Sequence, residues 1–137
     1  MLRDIKDVAL SDDARARNKH DMGWSRNRNY KSAVSDWNQS LLNTWNYLES
    51  NKRNNLFVCE YKKLFSGNDN YFYFLLNFLE IEENKNMYIY YKSITKDWDR
   101  FKQREKIIDK DKLAYIEENS NYFLRDKILQ ITAHLIE

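Results

Sequence analysis

Tyr30-Lys31-Ser32-Ala33-Val34-Ser35-Asp36-Trp37-Asn38-Gln39-Ser40-Leu41-Leu42-Asn43-Thr44-Trp45-Asn46-Tyr47-Leu48 sets Tyr30, Ala33, Val34, Trp37, Leu41, Thr44, Trp45 and Leu48 three and four residues apart. That 3-4-3-4 spacing lines one face of a helix with large apolar groups, so the segment predicts a long amphipathic helix. Downstream, Ser50-Asn51-Lys52-Arg53-Asn54-Asn55 is polar and rich in side chains that compete for backbone hydrogen bonds, which breaks the chain there. Leu56, Phe57, Tyr61, Leu64 and Phe65 then predict a short helix ending at Ser66-Gly67, where glycine takes the left-handed cap. Leu56-Phe57-Val58-Cys59 fits a buried strand as an alternative.

After a cap at Asp69 or Asn70, the spacing of Tyr71, Phe74, Leu75, Phe78 and Leu79 predicts a buried central helix. Met87, Tyr90, Tyr91, Ile94, Trp98, Phe101, Glu105 and Ile108 predict a long amphipathic one, although Met87-Tyr88-Ile89-Tyr90-Tyr91 also suits a strand. A short turn of helix through Leu113 and Ile116 and a last stripe at Leu124, Ile128, Ile131 and Leu135 complete the chain. With no proline and only Gly23 and Gly67 among 137 residues, turns are too sparsely marked for a many-stranded sandwich or barrel. The expected class is all-α: one domain, a bundle or orthogonal array of four to five helices over residues 30–137. Residues 1–29 read as a basic polar N-terminal arm with room for a short helix, because between Ser11 and Asn29 only Ala14, Ala16, Met22 and Trp24 are apolar.

Charge is close to balanced, 23 basic against 21 acidic residues, which alone supports neither a nucleic-acid nor a membrane partner. The imbalance sits in front, where residues 1–31 carry eight bases and five acids. Cys59 is the only cysteine, so an internal disulfide and a cysteine-rich zinc site are excluded, as suits a reducing, cytoplasmic setting. The first residues alternate charge without an apolar run, unlike a secretory signal. The longest apolar stretch, Tyr71 to Leu79, is too short for a bilayer, and no membrane partner is expected.

Chemistry-bearing patterns are few. In the arm, Arg15, Arg17, Lys19, Arg26, Arg28 and Lys31 are interleaved with Trp24 and Tyr30, the mixture of cations and rings that meets phosphates and unpaired bases. The same residues could serve a protein partner or form a solvated charged face. Leu56-Phe57-Val58-Cys59-Glu60-Tyr61-Lys62 resembles the apolar-strand-then-Glu-x-Lys element of PD-(D/E)xK nucleases, a likeness that implies a metal held by Glu60 and a further acidic residue, for which Asp36 and Glu49 are nearest. Arg15-Ala16-Arg17-Asn18-Lys19-His20 resembles the Arg-x4-6-His motif of HEPN ribonucleases, which implies an arginine for phosphate and a histidine for proton transfer. No glycine-rich phosphate loop is present, His20 and His134 are far apart in sequence, and Asp97 and Asp99 flank a core-type Trp98. Neither a metal nor a cofactor is expected.

The aromatic load, four tryptophans, ten tyrosines and seven phenylalanines, exceeds what one small bundle easily buries. Tyr47, Tyr73, Tyr88, Tyr115 and Tyr122 fall off the predicted core stripes and are expected at the surface or at a protein interface, where tyrosine gives rigid contact area with a polar tip. The expected function is therefore non-catalytic: a helical factor that docks on a protein or a larger complex, as an accessory subunit or as a mobile-element protein that blocks a host factor. Binding of RNA or single-stranded DNA through the arm is the alternative, and a metal-dependent or HEPN-like nuclease the third reading.

Overall fold

The computed structural model describes residues 1–50, 55–98 and 109–133. Among these the chain is all-α, with seven helices, six of them from Tyr30 onward where four to five were expected, and no strand beyond one isolated parallel bridge between Leu2 and Glu60. In chain order they are α1 (Ile5–Arg17), α2 (Tyr30–Ser50), α3 (Tyr61–Phe65), α4 (Asp69–Phe78), α5 (Lys85–Thr95), α6 (Lys110–Asn119) and α7 (Tyr122–Thr132). Short polar side chains start most of them: Asp4, Asn68, Asn84, Asp109 and Asn121 each accept a hydrogen bond from a backbone N–H of the first turn. Asn29 does the same for Lys31 and Ser32 at the start of α2.

Two cores result. The first gathers Ile5, Ala9, Ala33, Val34, Trp37, Leu41, Leu48, Ile116 and Ile128, so α2 presents its predicted stripe to α1, α6 and α7. Asn38 adds a polar tie at the α6–α7 corner: its amide donates to the Asn119 carbonyl at 2.8 Å and accepts from the Asn121 N–H at 2.8 Å. The second core holds Cys59, Leu64, Tyr71, Phe72, Leu76 and Tyr91 from α3, α4, α5 and the segment before them. The Tyr91 hydroxyl donates to the Leu64 carbonyl at 2.5 Å, and the Phe72 and Tyr91 rings stack 4.1 Å apart. The chain exposes 9972 Å², against about 7,600 Å² for one compact body of this mass.

Residues 56–60 join the cores. They are extended, not helical, and alternate: Leu56 and Val58 pack on the first core, Phe57 and Cys59 on the second. Leu2 runs beside them, donating its N–H to the Cys59 carbonyl at 2.6 Å and accepting from the Tyr61 N–H at 2.8 Å. The predicted helix from Leu56 is thus confined to α3, and the strand-like alternative describes residues 56–60 better. Gly67 takes the left-handed conformation expected of it, φ 81°, just past α3.

The largest difference from the sequence reading is at the front. Residues 5–17 are no free arm: α1 places Ile5 and Ala9 in the first core and also buries Asp13 and Ala16. Apart from Ile5, this contact surface is two alanines and one ion-paired aspartate, too little apolar bulk to mark a buried helix face. The second difference is the face of α5. Tyr91 and Thr95 point inward, while Tyr90 and Ile94 from the same predicted stripe are exposed. The strand alternative at Met87–Tyr91 gives way to helix, and the predicted continuation through Phe101, Glu105 and Ile108 lies outside the described residues, as do His134, Leu135 and most of the Ser50–Asn55 break.

Candidate interaction surfaces

Residues 18–29 connect α1 to α2 by three successive turns, closed by Asp21 N–H to the Asn18 carbonyl at 3.2 Å, Trp24 to Asp21 at 3.3 Å and Arg28 to Ser25 at 3.1 Å. Trp24 anchors this loop. Its indole N–H donates to the Arg28 carbonyl at 3.0 Å, and the guanidiniums of Arg15 and Arg28 lie over its ring at 4.0 and 5.2 Å. Those arginines are themselves held, Arg15 by Asp21 at 2.8 Å and Arg28 by Asp36 at 3.3 Å. Nearby, burial pushes the Asp12 carboxyl above its ordinary range, with Arg28 and Arg15 pulling it back down.

The eight residues expected to form a basic aromatic surface are therefore divided. Arg15, Trp24 and Arg28 come together in one clasp. Tyr30 and Lys31 join Tyr115 on α6: the two rings meet edge to face at 5.5 Å, Lys31 stands 5.3 Å from the Tyr115 ring, and Lys112 stands 5.4 Å from Tyr30. Arg17 turns to Asp13 at 3.0 Å. Lys19 and Arg26 remain exposed on the loop with Met22, which is 91% exposed at its tip. Stacking on bases requires a bare ring face, and the rings of Trp24 and Tyr30 both carry cations of this chain.

The five tyrosines expected at an interface mostly pack within the molecule. Tyr73 and Tyr88 stack in parallel at 6.4 Å, with the Tyr88 hydroxyl donating to Asp69 at 3.1 Å. Tyr115 meets Tyr30 as described, and Tyr122 meets Trp37 edge to face at 5.9 Å. Tyr47, on the outer side of α2, is the exposed one.

The nuclease-like elements are placed as follows. Glu60 pairs with Lys63 at 2.5 Å, Lys62 is exposed on α3, and Asp36 and Glu49 lie on the outer side of α2. Arg15 is engaged by Asp21 and Trp24, and His20 is an exposed turn residue. Among the described residues no three His, Cys, Asp or Glu side chains are grouped so that they could hold a metal ion. Burial raises the Cys59 thiol above its usual range, which keeps it protonated. No described helix is long and apolar enough to cross a membrane.

Two members of the stripe expected in the core, Tyr90 and Ile94, are instead open. On α5, Ile89 is 54% exposed, Tyr90 68% and Ile94 43%, while Tyr91 and Thr95 are buried. Leu79 and Ile81, in the turn leading to this helix, are also exposed. Beside the first turn of α5 an open groove of about 660 Å³ is lined by Asn84, Lys85, Asn86, Met87 and Tyr90. The sequence signal for this surface was the pair Tyr91 and Thr95, one turn apart, which compete with Tyr90 and Ile94 for the inward position. No family model, curated protein sequence or solved structure matches the chain.

Proposed function

We propose that this chain is a non-catalytic helical interaction factor that docks on a protein partner through the outer face of α5. The observation that carries this reading is the exposure of Ile89, Tyr90 and Ile94 on one helix of a protein that has two cores available to bury them. Tyr90 and Ile94, one turn apart, lie side by side on the helix surface, and a tyrosine held there by a folded scaffold is a strong anchor. An accessory subunit of a larger assembly and a mobile-element protein that blocks a host factor both fit such a surface. A cytoplasmic location belongs to the same reading, since Cys59 is a buried free thiol. The test is affinity capture with the intact protein, Tyr90→Lys, Ile94→Lys and the control Tyr47→Lys. One partner retained in stoichiometric amount by the intact protein and Tyr47→Lys, and lost with both α5 variants, is the expected result. Equal retention by all four moves the docking site elsewhere.

The alternative is single-stranded RNA or DNA binding by the α1–α2 loop, favoured by the exposure of Lys19 and Arg26. It predicts binding that weakens steeply between about 50 and 200 mM salt, with each phosphate contact adding about −0.7 to the log–log slope. Loss of that binding in an Arg26/Arg28/Lys31→Ala variant identifies the loop. No binding at the lower salt removes the alternative.

A further inference from the structure

We propose that Leu2 and Arg3 form a strap that latches the second core onto the first, and that its release lets α3, α4 and α5 swing as one unit about residues 56–60. In chain order these three helices are a single insertion between α2 and α6. They hold to one another. The Tyr91 hydroxyl reaches the Leu64 carbonyl of α3 and lies 3.2 Å from the Asn68 carbonyl that begins α4, Phe72 stacks on Tyr91, and Lys92 pairs with Asp69 at 2.8 Å. Among the described residues α2 packs instead on α1, α6 and α7, and none of these four helices makes a contact as extensive with α3, α4 or α5. A cohesive unit carried on an extended connector is the arrangement from which hinge motion arises.

The strap crosses this junction. On one side Leu2 packs against the first core, and the Arg3 carbonyl accepts from the Trp37 indole N–H at 3.2 Å. On the other side the Leu2 carbonyl accepts from the Tyr61 N–H at 2.8 Å, and the Arg3 guanidinium lies over the Tyr61 ring at 4.8 Å. Tyr61 is the first residue of α3, and the residue before it, Glu60, makes no side-chain cap. The strap therefore supplies a partner for a first-turn N–H of a five-residue helix that is too short to be stable alone. It is also the weaker side of the junction, since Leu2 is half-buried and Arg3 exposed, whereas Ile5, which anchors α1, is 1% exposed. Segments with few buried contacts open at lower free energy than cores, so the strap is released at Asp4 while α1 stays docked. The motion carries the face of α5 with it, whatever binds there.

Double electron–electron resonance on the full chain tests this, with nitroxide labels on p-acetylphenylalanine at position 86, exposed on α5, and position 118, exposed on α6. That chemistry leaves Cys59 as it is. The unaltered strap is expected to give one narrow distance, and the double variant Leu2→Asp/Arg3→Ala a broad distribution. Hydrogen exchange in α4 and α5 stays slow in that variant, because the unit moves folded. Arg3 is exposed, so Arg3→Ala alone keeps the fold and is expected to broaden the distribution to a smaller degree. A distribution unchanged in either variant overturns the proposal, as does a broad one before the strap is altered. Broadening accompanied by loss of protection in α4 and α5 also overturns it, since the second core then unfolds instead of swinging.

Discussion

The Lys112 ammonium lies 2.6 Å from the Asp13 carboxylate, joining α6 to α1 at a point where Asp13 is only 4% exposed. Arg17 reaches the same carboxylate at 3.0 Å from one turn along α1. A buried carboxylate is tolerated only when its partners replace the lost water, and here two cations do so. Asp13→Ala leaves Lys112 facing the interior with no counter-charge and is expected to cost about 3 kcal/mol in urea unfolding. Lys112→Met keeps Asp13 paired with Arg17 and is expected to cost about 1 kcal/mol. Equal costs for the two variants contradict this account of the junction.

Leu76 is buried in the second core and makes no part of the first. Leu76→Ala is expected to cost about 2–4 kcal/mol. Among the described residues the segment 56–60 with Leu2 lies between the two cores, so the loss should be local. Hydrogen exchange monitored by mass spectrometry should show faster exchange in α3, α4 and α5, with α2, α6 and α7 still protected. Uniform acceleration over all seven helices means that the two cores unfold as one.

How far the fold is legible in the sequence differs between these cores for a physical reason. The α2 stripe is spelled in large apolar residues at helical spacing, and its members other than Thr44 face the first core or its edge. Along α1 the inward face carries one large apolar residue, Ile5, followed by Ala9, Asp13 and Ala16, so it is faint when judged by size and polarity. Beginning the polar segment at Ser11 also cut that helix in half. In α4 and α5 the difficulty is reversed. Apolar residues surround the helix, periodicity fits more than one face, and the choice between Tyr90 with Ile94 and Tyr91 with Thr95 is settled by tertiary contacts such as Tyr91 with Leu64. Of the candidate site residues, the clasp of Arg15, Trp24 and Arg28 was visible as composition but its internal closure was not.

Tyr71 and Tyr91 give the second core a dependence on alkaline pH. The Tyr71 hydroxyl accepts from the Glu60 N–H at 2.7 Å and donates to the Val58 carbonyl at 3.3 Å. Burial pushes both hydroxyls up to about 12, whereas in the unfolded chain they ionise near pH 10. The folded state therefore keeps protons that the unfolded state releases. Their contribution to stability is complete below about pH 10 and is lost as the pH rises through about 12. Urea midpoints should fall over that window, together with a late rise in tyrosinate absorbance. Tyr71→Phe should reduce the pH dependence and leave the Glu60 N–H without its partner, at a cost of about 1–2 kcal/mol at neutral pH.

The two turns flanking α4 make opposite predictions. Gly67 has φ 81°, and a Cβ there would sit 3.5 Å from the Thr95 hydroxyl, ordinary contact in a backbone conformation that disfavours any side chain. Gly67→Ala is expected to destabilise the protein by about 1 kcal/mol. Glu80 occupies the same region with φ 55° although it is not glycine. Glu80→Gly relieves that cost and should be neutral or stabilising by up to about 1 kcal/mol. Thermal unfolding of both variants checks the pair, and a stabilising Gly67→Ala contradicts it.

The central claim is that the outer face of α5 is a contact surface. Its most direct test is site-specific photocrosslinking in the cells that make the protein, with benzoylphenylalanine placed at position 90 and, as control, at position 118, which is exposed on α6. A discrete covalent protein adduct from position 90 and none from position 118 is the predicted result. No adduct at position 90, or the same adducts from both positions, contradicts the claim.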